Sequence, residues 1–431
     1  MSRSQLSLVL FLLLHSGCKM DVGHSDSAKR PLLLWTSQNP QERMWAKGLV
    51  NAWNRANPGD SVVVQPIPAG QSSEEVLMAA IVAGTTPDIC ANIWPGIVND
   101  LARAGGVLRL DTLAGFDSLM QSRTPATLRV DFRSPDSAYY QIPWKSNPIM
   151  MLYNVRLFRK AGIDSPPRTY SEYLAAAKKI TTDLNGDGAY DRWIGYRDIQ
   201  PIWYQRFFDY YTFYIAASGG KTLFVGDSLA IDTTASNEVF SFFHQLYRAN
   251  YFPKSKFQGN PFVSQITATD FTGPWNIAWL KANAPSELEF AYAPVPVPDD
   301  YEGPVHTYGD YKNIAIFSNT ERPATAWRFA RYLVSKQADL LLLEKTAQMP
   351  IREGLLSDSA FAAFFKSNPG MIPFAAQVPD TRGVEAVSSL PEVLDAVARQ
   401  FEAASVYGVR SPAEATRRAI KRILVLQDWN S

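Results

Sequence analysis

The chain has 431 residues, of which 46% are hydrophobic, and its 42 basic residues nearly balance 41 acidic ones for a formal net charge of +1. The near-neutral charge argues against electrostatic binding to nucleic acid, and the hydrophobic content excludes global disorder. The length predicts two lobes, and two cysteines with four histidines are too few for a disulfide-stapled fold or a multi-cysteine zinc domain.

The first residues are typical of a targeting segment. Residues 6–14 form an apolar run that is too short to span a membrane but suits the core of a signal peptide. This run and the small residues before Cys18 resemble a bacterial lipoprotein signal, with His15 where the pattern usually has leucine. The resemblance implies a signal peptide over 1–17 and acylation of Cys18, whereas ordinary secretion with cleavage nearby is the alternative. Residues 18–30 are polar and predict a flexible tether.

Strands and helices alternate after the tether. Apolar runs at 31–36, 61–67 and 88–92 predict short buried strands. Between the first two strands, Asn39 followed by Pro40 predicts a capped helix start. Such alternation favours parallel α/β sheets.

Capping boxes at 169–172 and 411–414 predict further helices and extend this pattern toward the C-terminus. Several short motifs also follow one another in a characteristic order. They are 53–58 (WNRANP), 83–88 (AGTTPD), 140–144 (YQIPW), 273–275 (GPW) and 349–350 (MP). Over nearly the whole mature chain this order resembles family 1 extracellular solute-binding proteins of bacterial ABC importers, the maltose-binding-protein type.

The resemblance implies a two-lobed α/β architecture, the type II periplasmic-binding-protein fold. Each lobe is expected to be a mostly parallel sheet flanked by helices, with a ligand cleft between the lobes. We expect the first lobe to comprise 31–142 and 311–350, and the second lobe to comprise 146–305 and 353–431.

Three of the eleven tryptophans are candidates for stacking on a sugar. A sugar ring has an apolar face, which an aromatic ring can cover, and a rim of hydroxyls that needs polar partners. Trp94 and Trp144 are expected at a strand end and a crossover, and the resemblance places Trp275, after a Gly-Pro pair, in the cleft. Core packing is the alternative for each, as we expect for Trp45 and Trp53 on the first helix.

Polar candidates for pairing the hydroxyl rim lie near the same predicted strand ends and crossovers. Each of them could instead be a surface, turn or capping residue, with capping the strong alternative for Glu42 and a turn role for Asp88. The full set is Gln38, Glu42, Asp88, Asn92, Asn147, Asp209, Asn276, Asp310 and Arg352.

One acidic segment resembles a calcium loop. Asp183, Asn185, Asp187 and Asp191 occupy positions one, three, five and nine of such a loop. Position twelve is Ile194, where a bidentate Glu is needed. Ca²⁺ binding is therefore one interpretation, and a surface turn rich in Asx motifs is the other.

The resemblance implies a protein that binds a di- or oligosaccharide with high affinity and delivers it to the transmembrane subunits of an ABC permease by hinge closure. No catalytic residue is expected, and no cofactor other than the possible Ca²⁺. We expect an extracytoplasmic monomer, in the periplasm or at the cell surface, that contacts the membrane only through its anchor.

Two alternatives stay open from the sequence. One is an extracellular glycoside hydrolase, which would also combine aromatic rings with carboxylates. The other is a binding protein for a non-sugar solute, such as a phosphorylated polyol or a peptide. For a phosphate ligand, Lys145 and Arg352 are the basic residues expected near the cleft.

Overall fold

The computed structural model describes residues 30–70, 72–385, 387 and 390–430. The predicted signal peptide, Cys18 and the tether up to residue 29 lie outside the described residues. In the described part of the chain, no helix combines the length and the apolar character that crossing a membrane requires.

Strands and helices alternate along the described residues. The strands are β1 (Leu32–Thr36), β2 (Val62–Pro66), β3 (Ile89–Ile93), β4 (Ile142–Ser146), β5 (Met150–Asn154), β6 (Phe224–Val225), β7 (Ser228–Leu229), β8 (Thr269–Thr272), β9 (Phe290–Ala293), β10 (Thr307–Tyr308), β11 (Lys312–Ile316), β12 (Met349–Pro350) and β13 (Thr381–Arg382). The α-helices are α1 (Pro40–Ala56), α2 (Ser73–Ala83), α3 (Val98–Arg103), α4 (Phe116–Arg123), α5 (Val155–Lys160), α6 (Tyr170–Ile180), α7 (Tyr210–Ala217), α8 (Thr233–Arg248), α9 (Trp275–Asn283), α10 (Pro323–Leu333), α11 (Lys336–Thr346), α12 (Ser359–Ser367), α13 (Ile372–Gln377), α14 (Leu390–Phe401) and α15 (Pro412–Asn430).

Local sequence signals determine where several helices begin. The Asn39 side chain accepts a hydrogen bond from the backbone N–H of Glu42, and Pro40 is the first residue of α1. Thr169 and Ser411 cap α6 and α15 in the same way. These caps satisfy donors that the first helical turn leaves without a partner, and they confirm the predicted helix starts.

The first lobe is built on a six-stranded sheet with the order β12-β4-β11-β3-β1-β2. Strand β1 is parallel to β2 and β3, whereas β11 is antiparallel to both β3 and β4. The second lobe has a three-stranded sheet in which β5 lies between β8 and β9 and is antiparallel to both. The predicted two-lobed α/β fold is confirmed.

The expectation that the sheet of each lobe is mostly parallel is wrong. The chain leaves the first lobe after β4 and returns to it at β11. Because it returns at the same edge where β3 and β4 end, β11 must run in the opposite direction to both. A sequence pattern of alternating strands and helices does not show this reversal.

Each lobe has its own aromatic core. In the first, the Trp45 and Trp144 rings pack with their centroids 4.7 Å apart, and the Trp45 Nε1–H donates to the backbone oxygen of Ala338 at 3.0 Å. In the second, the rings of Tyr170 and Phe242 stack at 4.1 Å. Trp45 therefore joins α1, the sheet and α11, which confirms its predicted packing role.

We expect Trp45→Ala to lower the free energy of unfolding by about 3–5 kcal/mol, because it leaves a cavity in the first-lobe core and an acceptor without its donor. Urea unfolding followed by circular dichroism measures this change. The control is Met44→Ala, since Met44 is 54% exposed on the same helix. Its effect should stay within about 0.5 kcal/mol. Equal losses for the two variants would contradict the assignment of Trp45 to the core.

Candidate functional site

Six strand termini meet at one edge of the first-lobe sheet, here called the junction edge. Strands β1, β2, β3 and β4 end there, and β11 and β12 begin there. Both the segment from β4 to β5 and the segment from β10 to β11 pass between the lobes at this edge. In open α/β sheets, ligands bind outside the carboxyl ends of strands, so the junction edge is the candidate functional site.

A buried ion pair lies at the junction edge. The Lys145 Nζ and Glu42 Oε1 atoms are 2.5 Å apart, and both side chains are almost fully buried. The Ser37 hydroxyl and the Gln348 amide also donate to the Glu42 carboxylate, at 2.7 Å and 2.8 Å. Burial alone would raise the pKa of the Glu42 carboxyl, but the Lys145 ammonium and the other donors hold this pKa below its ordinary value.

Asn147 provides an unsatisfied acceptor next to this ion pair. Its Nδ2 donates to the Gln348 side-chain oxygen at 3.2 Å, while its Oδ1 is buried and has no hydrogen-bond partner among the described residues. A buried acceptor without a donor costs about 1–3 kcal/mol. A hydroxyl of a bound molecule can supply the missing hydrogen bond.

A second charge pair lies close by, on the segment that returns from the second lobe. The Asp310 carboxylate accepts from Lys312 Nζ at 3.2 Å and from the Tyr308 hydroxyl at 3.3 Å. Asp310 has a φ of +38°, a conformation that non-glycine residues rarely adopt. Lys312 pairs in register with Lys145, so two cations and two carboxylates balance at the junction edge.

Aromatic rings from the two lobes meet over this edge. Trp94, directly after β3, lies 5.9 Å from Trp203 and 6.0 Å from Phe207 between ring centroids. Phe207 in turn stacks on Tyr308 at 4.8 Å. Trp94 is 5% exposed and packs with the second-lobe core. The strand-end position predicted for Trp94 is therefore observed, and its neighbours come from the other lobe.

Trp275 lies on the second lobe, at the first position of α9. Its half-buried ring meets Phe208 edge-on at 6.2 Å, and Asn276 beside it is buried. A Cβ atom on Gly273 would lie 2.0 Å from this ring, so the Gly-Pro turn needs glycine to let the backbone approach the indole. The 3₁₀-helix Trp203–Phe208 thus carries ring contacts to both Trp94 and Trp275.

Four predicted site residues have side chains that are occupied by structural partners. Trp144 is fully buried against Trp45, so it offers no ring face to a ligand. Asp88 precedes β3 and therefore lies at the opposite edge of the sheet, where its carboxylate accepts from the Leu33 backbone N–H and from the hydroxyl of Thr320. For these two residues, the predicted contact with ligand is wrong.

Asp209 and Arg352 are also buried, and each forms an ion pair. The Asp209 carboxylate lies 3.0 Å from the Arg206 guanidinium, and burial raises the pKa of this carboxyl. Arg352 lies 2.6 Å from Asp339, which is fully buried. Asp209 is held by Arg206 in the second lobe and Arg352 by Asp339 in the first, so the predicted ligand contacts of both residues at the junction edge are wrong as well.

The remaining polar candidates keep their positions near the junction edge. Gln38 is exposed after β1 and donates to the backbone oxygen of Ile67 at 2.9 Å, and Asn92 is half-buried in β3. Glu42 does not use its side chain to cap α1, because Ser37, Lys145 and Gln348 surround its carboxylate.

Sequence reasoning missed Trp203 and Tyr308 and did not rank Lys145 as a contact for sugar. The segment 203–214 is unusually rich in aromatic residues, and this signal could have directed attention to it.

The calcium-like loop closes on itself. The Asp183 carboxylate accepts from the backbone N–H groups of Gly186 and Gly188, and that of Asp191 accepts from the N–H of Leu184. Asp187 likewise accepts from Ala189. Across the described ranges, no group of three or more His, Cys, Asp or Glu side chains could hold a metal ion. The arrangement is that of an Asx-rich turn.

Comparisons with known proteins give a consistent result. A family model described as bacterial extracellular solute-binding protein matches residues 39–339. An uncharacterised Listeria monocytogenes protein shares the fold with a TM-score of 0.82 and 24% identity, over 92% of this chain and 99% of that one. The cyclic alpha-maltosyl-1,6-maltose binding protein of Arthrobacter globiformis gives a TM-score of 0.78 and 21% identity, over 92% and 98%. A sn-glycerol-3-phosphate-binding periplasmic protein of Rhizobium meliloti is 23% identical over 68% of each chain.

We expect Lys145→Met to lower the free energy of unfolding by about 3–5 kcal/mol, because it leaves the Glu42 carboxylate buried without its cation. Combining it with Glu42→Gln should recover much of this loss, since no uncompensated charge then remains. A double-mutant cycle by urea unfolding measures the coupling. Additive losses would show that the two side chains do not stabilise each other.

Proposed function

Because the chain belongs to the bacterial extracellular solute-binding protein family, we propose that it binds an uncharged di- or oligosaccharide at the junction edge and delivers it to an ABC permease. The observation that carries this proposal is the contact between the Trp94 ring of the first lobe and the Trp203 ring of the second. Trp275 and Phe208 add a ring pair on the second lobe, and Asn147 adds an unpaired buried acceptor. Rings suit the apolar face of a sugar, and the acceptor suits its hydroxyls.

The charges at the junction edge favour an uncharged ligand. Lys145 is paired with Glu42, and Lys312 is paired with Asp310. A phosphate group would have to compete with these carboxylates for their cations, in a partly desolvated place where the like charges repel it. The phosphorylated polyol is therefore the weaker proposal, although one relative is a sn-glycerol-3-phosphate-binding protein.

The same pairs argue against the hydrolase alternative. A general acid for glycoside hydrolysis needs a carboxyl group whose pKa is raised. Glu42 has its pKa held below the ordinary value by Lys145 and the other donors. Asp310 accepts from Lys312 and Tyr308 and is thus also an ion-paired carboxylate. Binding without turnover is the function that these groups support.

We propose that ligand binding closes the two lobes by a hinge motion in the segments that join β4 to β5 and β10 to β11. A ligand that contacts Trp94 on one side and Trp203 or Trp275 on the other stabilises the closed form, which a permease can recognise. The same proposal includes the lobe boundaries given above, acylation of Cys18, an extracytoplasmic location and a monomeric state.

We expect Trp275→Ala to weaken sugar binding about 5- to 150-fold, because stacking of a ring on an aromatic platform contributes about 1–3 kcal/mol. Isothermal titration calorimetry measures the affinity. Trp279→Ala is the matched control, since Trp279 lies one turn further along α9 and is 43% exposed. An unchanged affinity in the Trp275 variant would remove this residue from the site.

A panel of di- and oligosaccharides, with sn-glycerol 3-phosphate and short peptides as competitors, should raise the unfolding temperature only for sugars. The shift follows from binding to the folded state alone. The same incubations, analysed by chromatography, should return the sugars intact. A shift with glycerol phosphate and none with sugars would overturn the ligand class, and multiple turnovers of a sugar would overturn the binding function.

A further inference from the structure

A cavity of about 380 Å³ lies on the first lobe, and five basic side chains line it. We call it the basic pocket. Its cations are Arg123, Arg328, Arg331, Lys336 and Arg352. The hydroxyl-bearing residues Ser122 and Ser335 also line its wall.

The floor of the basic pocket has more positive than negative charge. Arg123 and Arg352 share one carboxylate, that of Asp339, at 3.0 Å and 2.6 Å. Arg123 is 2% exposed and Asp339 is fully buried. Two guanidinium groups on one carboxylate leave a net positive charge that is held rigidly, because Arg123 also donates to the backbone oxygen of Trp144 and Arg352 to that of Val334.

The rim of the basic pocket, formed by Arg328, Arg331 and Lys336, adds further positive charge. Arg328 shares Asp60 with Arg322, and Lys336 is paired with Asp358. Arg331 has no carboxylate partner among the described residues, and its guanidinium faces the Trp327 ring at 6.0 Å. The cations of the pocket therefore outnumber the carboxylates that compensate them.

Helix α11 also makes the basic pocket more favourable for an anion. Ser335 caps its first turn, and Lys336 is its first residue, so the positive end of the helix dipole lies at the pocket wall. Guanidinium groups around such an end match the geometry of an oxyanion, because each presents paired N–H donors.

The basic pocket is separate from the candidate site at the junction edge. Lys336 begins α11, whereas Gln348, which contacts Glu42, follows its end. Eleven helical residues span about 16 Å. The rim of the basic pocket at Lys336 and the Gln348 contact with Glu42 therefore lie at opposite ends of α11.

We propose that the basic pocket binds a phosphate group, carried either by a free phosphate or by the headgroup of an anionic lipid. The fixed floor, Arg123 and Arg352 on Asp339, provides a constant positive field. Arg331 and Lys336 on the rim are exposed and provide donors to the phosphate oxygens. The chemistry is the same for both sources, since each presents oxyanion acceptors of a size that the cavity accommodates.

The test uses the purified full-length protein and inorganic phosphate as the probe, titrated by calorimetry at constant ionic strength. The double variant Arg331→Gln/Lys336→Gln removes two of the three rim cations and leaves Arg328 and the buried floor in place. Arg399→Gln on the second lobe is the matched control, because Arg399 is exposed and lies outside the pocket. We expect saturable binding that the double variant weakens at least tenfold and the control leaves unchanged. Thermal unfolding of each variant without phosphate checks that the fold is intact.

A second arm distinguishes the two sources. Sedimentation with vesicles of phosphatidylglycerol is compared with sedimentation with vesicles of phosphatidylcholine, so that attachment through an acyl anchor contributes equally to both. Stronger binding to phosphatidylglycerol, lost in the double variant, identifies a headgroup. Phosphate binding without this difference identifies a free phosphate. If neither probe binds saturably, or if the double variant and the control behave alike, the proposal is overturned.

Discussion

The buried contact between Glu42 and Lys145 is the constraint on which the rest of the junction edge depends. It joins the start of α1 to the end of β4, just before the crossover, and Gln348, the residue before β12, donates to the same carboxylate. Three segments that are distant in sequence are thereby held at one point. Because the charges cancel each other, the edge can be partly desolvated without attracting ions, and the surrounding aromatic rings can lie close to it.

Local signals predicted much of the fold. Caps at Asn39, Thr169 and Ser411 were readable because a cap acts within one helical turn. The two lobes followed from length, from the alternation of strands and helices and from the order of the motifs. The reversed direction of β11 was not readable, since it depends on which edge of the sheet a distant segment re-enters.

The candidate site was predicted only in part, and the reason is again distance along the chain. Trp94 and Trp144 both sit at strand ends in the sequence, yet one meets rings of the other lobe and one is sealed against Trp45. Arg352 looks like a cleft residue until Asp339 is found beside it. Hydropathy and spacing indicate the local environment of a side chain, whereas its long-range partners determine whether it is available to a ligand.

The division of the tryptophans into sealed and accessible rings has an optical consequence. Trp45 and Trp144 have indoles fully enclosed in the first-lobe core, so we expect blue-shifted emission from them that solutes do not change. Trp203 and Trp275 are half-buried where the lobes meet, and their emission depends on what lies beside them. Occupancy of the proposed site is therefore expected to change the emission of Trp203 and Trp275, over a background from the core.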